Sequence, residues 1–165
     1  LLYHAELAEY LGAEVITLHG GGAYGDKETT LMRIENNIQQ LPVSVRRKLA
    51  LENDDRIYTP KDLLPVFRRT NIPLVYDVHH HKCNPDGLDI REATEACLAT
   101  WNREPLFHQS SPQNGWNDSR IRCHHDFIQQ GDFSACWKEL RITVEVEAKA
   151  REAAVMQLQK ALQRG

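Results

Sequence analysis

Val75-Tyr76-Asp77-Val78-His79-His80-His81 reads as a short apolar strand, opened by Pro73 and Leu74, that stops at a carboxylate and passes into a block of imidazoles. Side chains alternate along a strand, so Asp77 ends it on one face, and His80, three residues on, is expected in the loop beyond. An oxygen and a nitrogen ligand are thereby presented at one edge of a sheet. Zinc, manganese and iron each accept His nitrogen together with carboxylate oxygen, so the stretch points to divalent-metal chemistry without choosing the ion. Histidine runs also occur in solvated loops, and the flanking sequence has to decide between the two readings.

The same pattern recurs on both sides. Upstream, residues 48–53 form an apolar strand bearing Glu52, and residues 13–19 form another that ends at His19 before Gly20-Gly21-Gly22. Downstream, residues 105–110 carry His108 and residues 140–147 end at Glu147. Helical patterns separate these strands. Residues 1–11 are expected to be helical and to stop at Gly12. Asp26 is placed as the N-cap of a helix with Leu31, Ile34, Ile38 and Leu41 on one face. Thr59, Pro60 and Asp62 have the types preferred at N-cap, N1 and N3 of a helix to about residue 70. A loop with Pro85 and Gly87 follows the organising strand, and Asp89 with Glu92 opens a helix to about Trp101. The polar loop 111–120 leads to short helical pieces in residues 124–140 around Gly131. Residues 148–162 close the series as an amphipathic helix with Val155, Leu158 and Leu162 on one face.

Alternating strands and capped helices predict an α/β fold with a parallel sheet and helices outside it. Five units of the eight in a (β/α)8 TIM barrel of about 250 residues would occupy about 156 residues, close to the 165 present. The expected architecture is therefore an incomplete TIM barrel, about the last five β/α units. Residues 1–165 would form a single domain, the C-terminal part of a barrel lacking its N-terminal strands. The competing architecture, a doubly wound five-stranded sheet, usually carries a G-x-G-x-x-G turn after its first strand, which Gly20-Gly21-Gly22 does not match.

Composition excludes several classes. A hydrophobic fraction of 41% with 26% charged residues is that of an ordinary globular protein. No apolar run approaches membrane-spanning length and no signal peptide is visible, so a cytoplasmic protein without membrane contact is expected. Cys83, Cys97, Cys123 and Cys136 form no Cys-x-x-Cys pair and read as free thiols. The net charge of −3 gives no global basic field for nucleic acid, although bound divalent cations would offset acidic charge at a site.

The strand ends carry the chemistry. His19, Glu52, Asp77, His108 and Glu147 each lie at or next to the end of a strand, and a barrel builds its active site at that face. Alternation puts Val15, Thr17, Ala50, Val75, Leu106, Thr143 and Glu145 on the same inward faces. The opposite rows, Ile16 and Leu18, Leu49 and Leu51, Leu74, and Ile142, Val144 and Val146, suit packing under the helices. Taken singly, a strand-end His is more often hydrogen-bonded in a core, and a strand-end carboxylate more often caps a helix or pairs with Arg. Recurrence in register, together with His80 and the cluster His124-His125-Asp126, favours a metal centre. Such a ligand surplus exceeds one zinc and fits two or three divalent ions bridged by a central carboxylate, with Glu52 expected in that role. Glu52, Asp77, His108 and Glu147 form the expected catalytic set, and phosphodiester hydrolysis is the reaction the cluster suggests. Trp101, Trp116 and Trp137 read as helix-face or loop anchors. Arg46-Arg47-Lys48 and Arg68-Arg69 read as solvated helix ends, with phosphate contact as the functional alternative.

The segments Leu18-His19-Gly20-Gly21-Gly22, Leu51-Glu52-Asn53-Asp54, Val75-Tyr76-Asp77-Val78-His79-His80, Phe107-His108-Gln109-Ser110-Ser111, His124-His125-Asp126-Phe127-Ile128 and Val146-Glu147-Ala148-Lys149 together resemble the UV damage endonuclease family. These are metal-dependent barrels, related to endonuclease IV, that nick DNA on the 5′ side of ultraviolet photoproducts. The resemblance covers essentially the whole chain. It implies that His19, Glu52, Asp77, His80, His108, His124 and Glu147 are metal ligands, that manganese is the ion with zinc as the alternative, and that the partner is UV-damaged double-stranded DNA with no obligate protein partner. Asp126 resembles a secondary or alternative ligand, Lys149 a nearby structural residue, and Asn53 a supporting residue behind the ligands. Nothing matches the family's early strands, which carry further histidines and the aromatic and amide side chains that probe the duplex. The chain is accordingly expected to lack a full metal site and the damage probe. The alternatives are a xylose-isomerase-like sugar isomerase or epimerase and a non-catalytic fragment that binds metal or DNA.

Overall fold

The computed structural model describes residues 1–163. Its elements run α1 (Leu2–Leu11), β1 (Ile16–His19), α2 (Lys27–Gln40), α3 (Val43–Lys48), β2 (Leu49–Glu52), α4 (Pro60–Thr70), β3 (Leu74–Asp77), α5 (Val78–Cys83), α6 (Ile90–Leu98), β4 (Leu106–Gln109), β5 (Thr143–Val146) and α7 (Glu152–Leu162). Two 3₁₀ turns, Gln130–Asp132 and Ala135–Trp137, lie between β4 and β5.

The five strands form one parallel sheet in the order β1-β2-β3-β4-β5. Every crossover thus steps the same way, as in a barrel, whereas a doubly wound sheet reverses direction at a switch point. The arc is open, with β1 and β5 at its edges. Register brings His19 opposite Glu52 and Asp77 opposite His108, while Glu52 pairs with Val75, so Asp77 and His108 lie two residues further along their strands than His19 and Glu52 and on the same face.

Side-chain alternation explains the packing. Leu49, Leu51, Leu74, Tyr76 and Phe107 are fully buried on the outer face against Ile38, Leu63, Val66, Ala93 and Cys97 of the helices and Trp137, with Leu18, Ile142 and Val144 at the margin. Burial of each large aliphatic side chain contributes about 1.5–3 kcal/mol. Thr143 and Glu145, on the inner face of β5, are exposed.

The caps act as expected. Asp26 accepts from Thr29 N at 2.8 Å, Thr59 and Asp62 form a reciprocal capping box with Pro60 at the first helical position, and Asp89 with Glu92 forms another. Gly12 ends α1 in the left-handed conformation, φ 68°, where a Cβ would be strained.

The structure differs from expectation in several places. Residues 43–48 form α3, which runs directly into β2; a six-residue helix is too short for its periodicity to show. Residues 78–83, expected as loop, form α5 because the Asp77 carboxylate caps them. The helix expected to reach Trp101 ends at Leu98, and Thr100 and Trp101 instead hold β3: Leu74 N donates to Thr100 Oγ1 at 2.9 Å and Trp101 Nε1 donates to Leu74 O at 2.7 Å. The last helix begins at Glu152 rather than residue 148, since Lys149 N and Ala150 N donate to the carbonyls of His125 and Asp126. Arg69 is a structural partner as well as a helix end, with Nε 2.6 Å and Nη2 2.5 Å from the Glu35 carboxylate. All four cysteines are free. Among the described residues, no helix is long and apolar enough to cross a membrane.

Candidate metal centre

The site begins at the junction of β3 and α5. Asp77 splits its carboxylate between two tasks: Oδ1 accepts from His80 N at 2.7 Å and caps α5, whereas Oδ2 is buried with no hydrogen-bond partner among the described residues. Successive residues of a helix turn by about 100°, so the three histidines part company. His79 bonds Ser110 Oγ and, through Nε2, Ile121 O at 2.6 Å. His81 lies between the Tyr76 hydroxyl at 2.8 Å and Asp86 at 2.9 Å. His80 alone turns toward the strand ends, with Nδ1 3.0 Å from Asn53 O and 3.4 Å from Glu52 Oε1.

Glu52, only 2% exposed, is the hub. Its Oε2 lies 3.2 Å from His19 Nε2 and its Oε1 lies 3.1 Å from His108 Nδ1. His108 Nδ1 is also 3.4 Å from Glu147 Oε1, and Glu147 Oε2 is 3.7 Å from His124 Nδ1. Three sets of donor atoms each lie within 4.8 Å of one another: His19, Glu52 and His80; His80, His124 and Glu147; and Glu52, Asp77 and His108. Glu52 and His80 are each shared by two sets. All seven residues expected to be ligands from the sequence are thus brought together.

Electrostatics describe a place built around positive charge. Burial alone would raise Glu52, but hydrogen bonds from His108 and His80 and the charges of His108 and His19 outweigh it and hold it down at about 2. Burial would likewise lower His108, yet hydrogen bonds to Glu145, Glu147 and Glu52 carry it up to about 12. His80 rises to about 9 because Glu52 and Asp77 outweigh its burial. Asp77 is pushed up to about 7, burial prevailing over the pull of His80. His108 holds Glu147 below the usual carboxylate range against burial, while burial holds His124 below the usual imidazole range against the pull of Glu147. Protons on His108 and His80 supply the charge that a divalent cation supplies in such a donor set. The nitrogen and carboxylate donors, and the buried Asp77 Oδ2 with no hydrogen-bond partner among the described residues, fit divalent ions.

The supporting residues fall on both sides of expectation. Asn53 clamps β3, its Oδ1 accepting from Asp77 N and its Nδ2 donating to Asp77 O, both at 2.9 Å. Lys149 is exposed but near enough to His124 to oppose its protonation. Asp126 is exposed and joins none of the three sets. Two contributors escaped the sequence reading. Glu145, whose Oε2 is 3.5 Å from His108 Nε2, lies on the inward face that strand alternation predicts but is not in the expected ligand set. His79 ties α5 to the β4–β5 connection that carries His124, packing edge-on against Trp116 at 5.1 Å; nothing in the spacing of three consecutive histidines separates it from His80.

Comparison with known proteins gives the site its context. The chain is 34% identical over 170 residues to a UV DNA damage endonuclease of Bacillus velezensis, covering 96% of this chain and 52% of that protein. It is 33% identical over 172 residues to the protein of the same description from Bacillus mycoides, with the same coverage of 96% and 52%. The crystal structure of SacUVDE superposes with a TM-score of 0.88 at 28% identity, over 98% of this chain and 56% of that one. The chain therefore spans about half the length of the curated relatives it matches. The model of the family described as UV-endonuclease UvdE matches residues 1–164, and the chain belongs to that family.

Proposed function

We propose that this chain carries the metal-dependent catalytic face of a DNA repair endonuclease that hydrolyses the phosphodiester bond 5′ to ultraviolet photoproducts in double-stranded DNA. The observation that carries the reading is the convergence of His19, Glu52, Asp77, His80, His108, His124 and Glu147 at one end of the sheet, in three sets joined through Glu52 and His80. Two or three divalent ions fit these sets, manganese first and zinc second. Such ions polarise a phosphodiester and lower the pKa of a bound water. The chain's own residues fix the geometry: Glu52 lies between two sets, Asp77 is locked by Asn53 and by its cap on α5, and Glu147 links His108 to His124. Family membership favours this reading over a sugar isomerase. We also propose that the chain acts as a single domain, five units of an eight-unit barrel.

The test is nicking of an end-labelled duplex bearing one cyclobutane dimer. It uses the 165-residue chain and a chimera in which the N-terminal half of the Bacillus velezensis relative precedes it, each with manganese and with chelator. Manganese-dependent cleavage 5′ to the dimer, abolished by Glu52→Gln or His108→Ala, is expected from the chimera. No cleavage by a folded, metal-loaded chimera overturns the reading, as does full activity in either variant.

A further inference from the structure

Beside the metal sets the structure places a groove of about 360 Å³ whose lining includes His19 and His80 on one side and Asp55 and Arg56 on the other. Arg56 Nε lies 3.5 Å from Asp55 Oδ2. From the opposite direction Arg122, on the β4–β5 connection, places its Nε 3.1 Å from Asp55 Oδ2 and 3.1 Å from Asp55 O. One carboxylate therefore holds two guanidiniums at the rim of the cleft. Both engage it through Nε, and among the described residues their terminal nitrogens make no hydrogen bond, leaving these donors available to a ligand.

The backbone beneath is rigid. The Asp54 carboxylate accepts from the backbone nitrogens of Arg56 at 2.8 Å, Ile57 at 2.5 Å and Tyr58 at 3.0 Å, and Asp54 N donates to Tyr58 O at 2.8 Å. Asn84 Nδ2 donates to Asp54 O at 3.3 Å and joins this loop to the end of α5. Two neighbouring cations gathered at one carboxylate, with open planar donors, suit a tetrahedral oxyanion, because the guanidinium fork matches phosphate geometry. Their charge lies at the rim, apart from the carboxylates that hold the metal sets.

We propose that Arg56 and Arg122, held by Asp55, bind a backbone phosphate of the nucleic-acid strand next to the one that is cut. This rests on the proposed reading of the chain as a DNA endonuclease and assigns it a phosphate site outside the metal sets. Such a contact positions the strand without reading sequence. Losing one phosphate contact lowers the slope of log affinity against log salt by about 0.9 on a duplex.

The experiment measures the affinity of the 165-residue chain for an undamaged duplex across a salt series in calcium buffer, with metal content and circular dichroism as controls. Arg56→Ala and Arg122→Gln are each expected to weaken binding several-fold at low salt and to lower the slope by about 0.9, with metal content unchanged. Arg56→Lys is expected to keep the slope and lose only part of the affinity. Wild-type binding that both neutral variants reproduce overturns the phosphate site and leaves the endonuclease reading standing. Wild-type chain with no salt-dependent affinity overturns the phosphate site, and the endonuclease reading is then decided by the nicking test on the chimera. If Arg122→Gln loses metal or fold together with affinity, Arg122 has a structural role and the exposed Arg56, whose only side-chain partner among the described residues is Asp55, decides the proposal; the same loss in Arg56→Ala overturns it.

Discussion

His108 stands among three carboxylates, those of Glu52, Glu145 and Glu147, and it is this crowding that places a proton on a buried imidazole at neutral pH. A metal ligand must present a lone pair, so in the proposed ligand set metal and proton would compete for the same atom. With His108 raised to about 12, His80 to about 9 and Asp77 to about 7, loading at pH 7 is expected to release about two protons from the histidines and about half a proton from Asp77. Calorimetric titration in buffers of different ionisation enthalpy measures that number, and metal affinity should fall as pH drops. Binding without proton release would remove both histidines from the ligand set. His79, next to His80, behaves in the opposite way: burial lowers it to about 4, against the pull of the Ile121 carbonyl. The unfolded chain binds this proton more tightly, so the contribution of His79 to stability is full above pH 6.5 and is lost as pH falls toward 4. His79→Gln, which can still donate to Ile121 O, is expected to lose less stability than wild type between pH 7 and 4.5 in thermal unfolding. Parallel pH profiles of the two proteins would show that His79 is not buried neutral.

At the scale of the element, α5 shows how one residue serves fold and site together. Asp77 Oδ1 caps the helix and Oδ2 faces the cluster, and substitution can separate the two functions. Asn is as good an N-cap as Asp, so Asp77→Asn should keep α5 and lose metal affinity. Asp77→Ala should lose metal affinity and, in addition, about 1 kcal/mol of stability through the missing cap. Titration with manganese and thermal unfolding of both variants check this; equal stability of the two would show that the cap is idle. The same duality sets what could be read from the sequence. The strand ends were legible because period-two alternation places His19, Glu52, Asp77 and Glu147 on known faces, and the capping boxes at Thr59 and Asp89 because side chain and backbone interact within four residues. α5 was not, since an Asp before three histidines suits a loop as well as a helix. Nor was the β4–β5 connection, which is organised by distant contacts such as Trp116 Nε1 to Asp132 at 2.6 Å and His79 to Ile121; no local period encodes these.

At the scale of the molecule, five parallel strands form an open arc whose inner face carries little apolar bulk: Ala50 and Val75 are buried there and Thr143 and Glu145 exposed, while the main hydrophobic cluster lies on the outer side. The repeat of β/α units made this architecture legible, since each unit announces itself by an apolar strand, a polar strand end and a capped helix. The inner face instead concentrates acidic and imidazole side chains contributed by every unit: His19 from β1, Glu52 from β2, Asp77 and His80 from β3 and α5, His108 from β4, and Glu147 just beyond β5. Ions bound by these sets would join all five units at the mouth of the arc. The sets exist only in the folded chain, so binding is coupled to folding and stabilises it by mass action, by about 2.7 kcal/mol at a metal concentration 100 times Kd. Manganese or zinc should therefore raise the Tm of the chain in thermal unfolding, and chelator should reverse the rise. Glu52→Gln, which alters the residue shared by two sets, should blunt it far more than a change at exposed Asp126. A Tm that does not respond to saturating metal, or that rises as much in Glu52→Gln as in wild type, would mean that the strand ends do not act as one metal-holding unit.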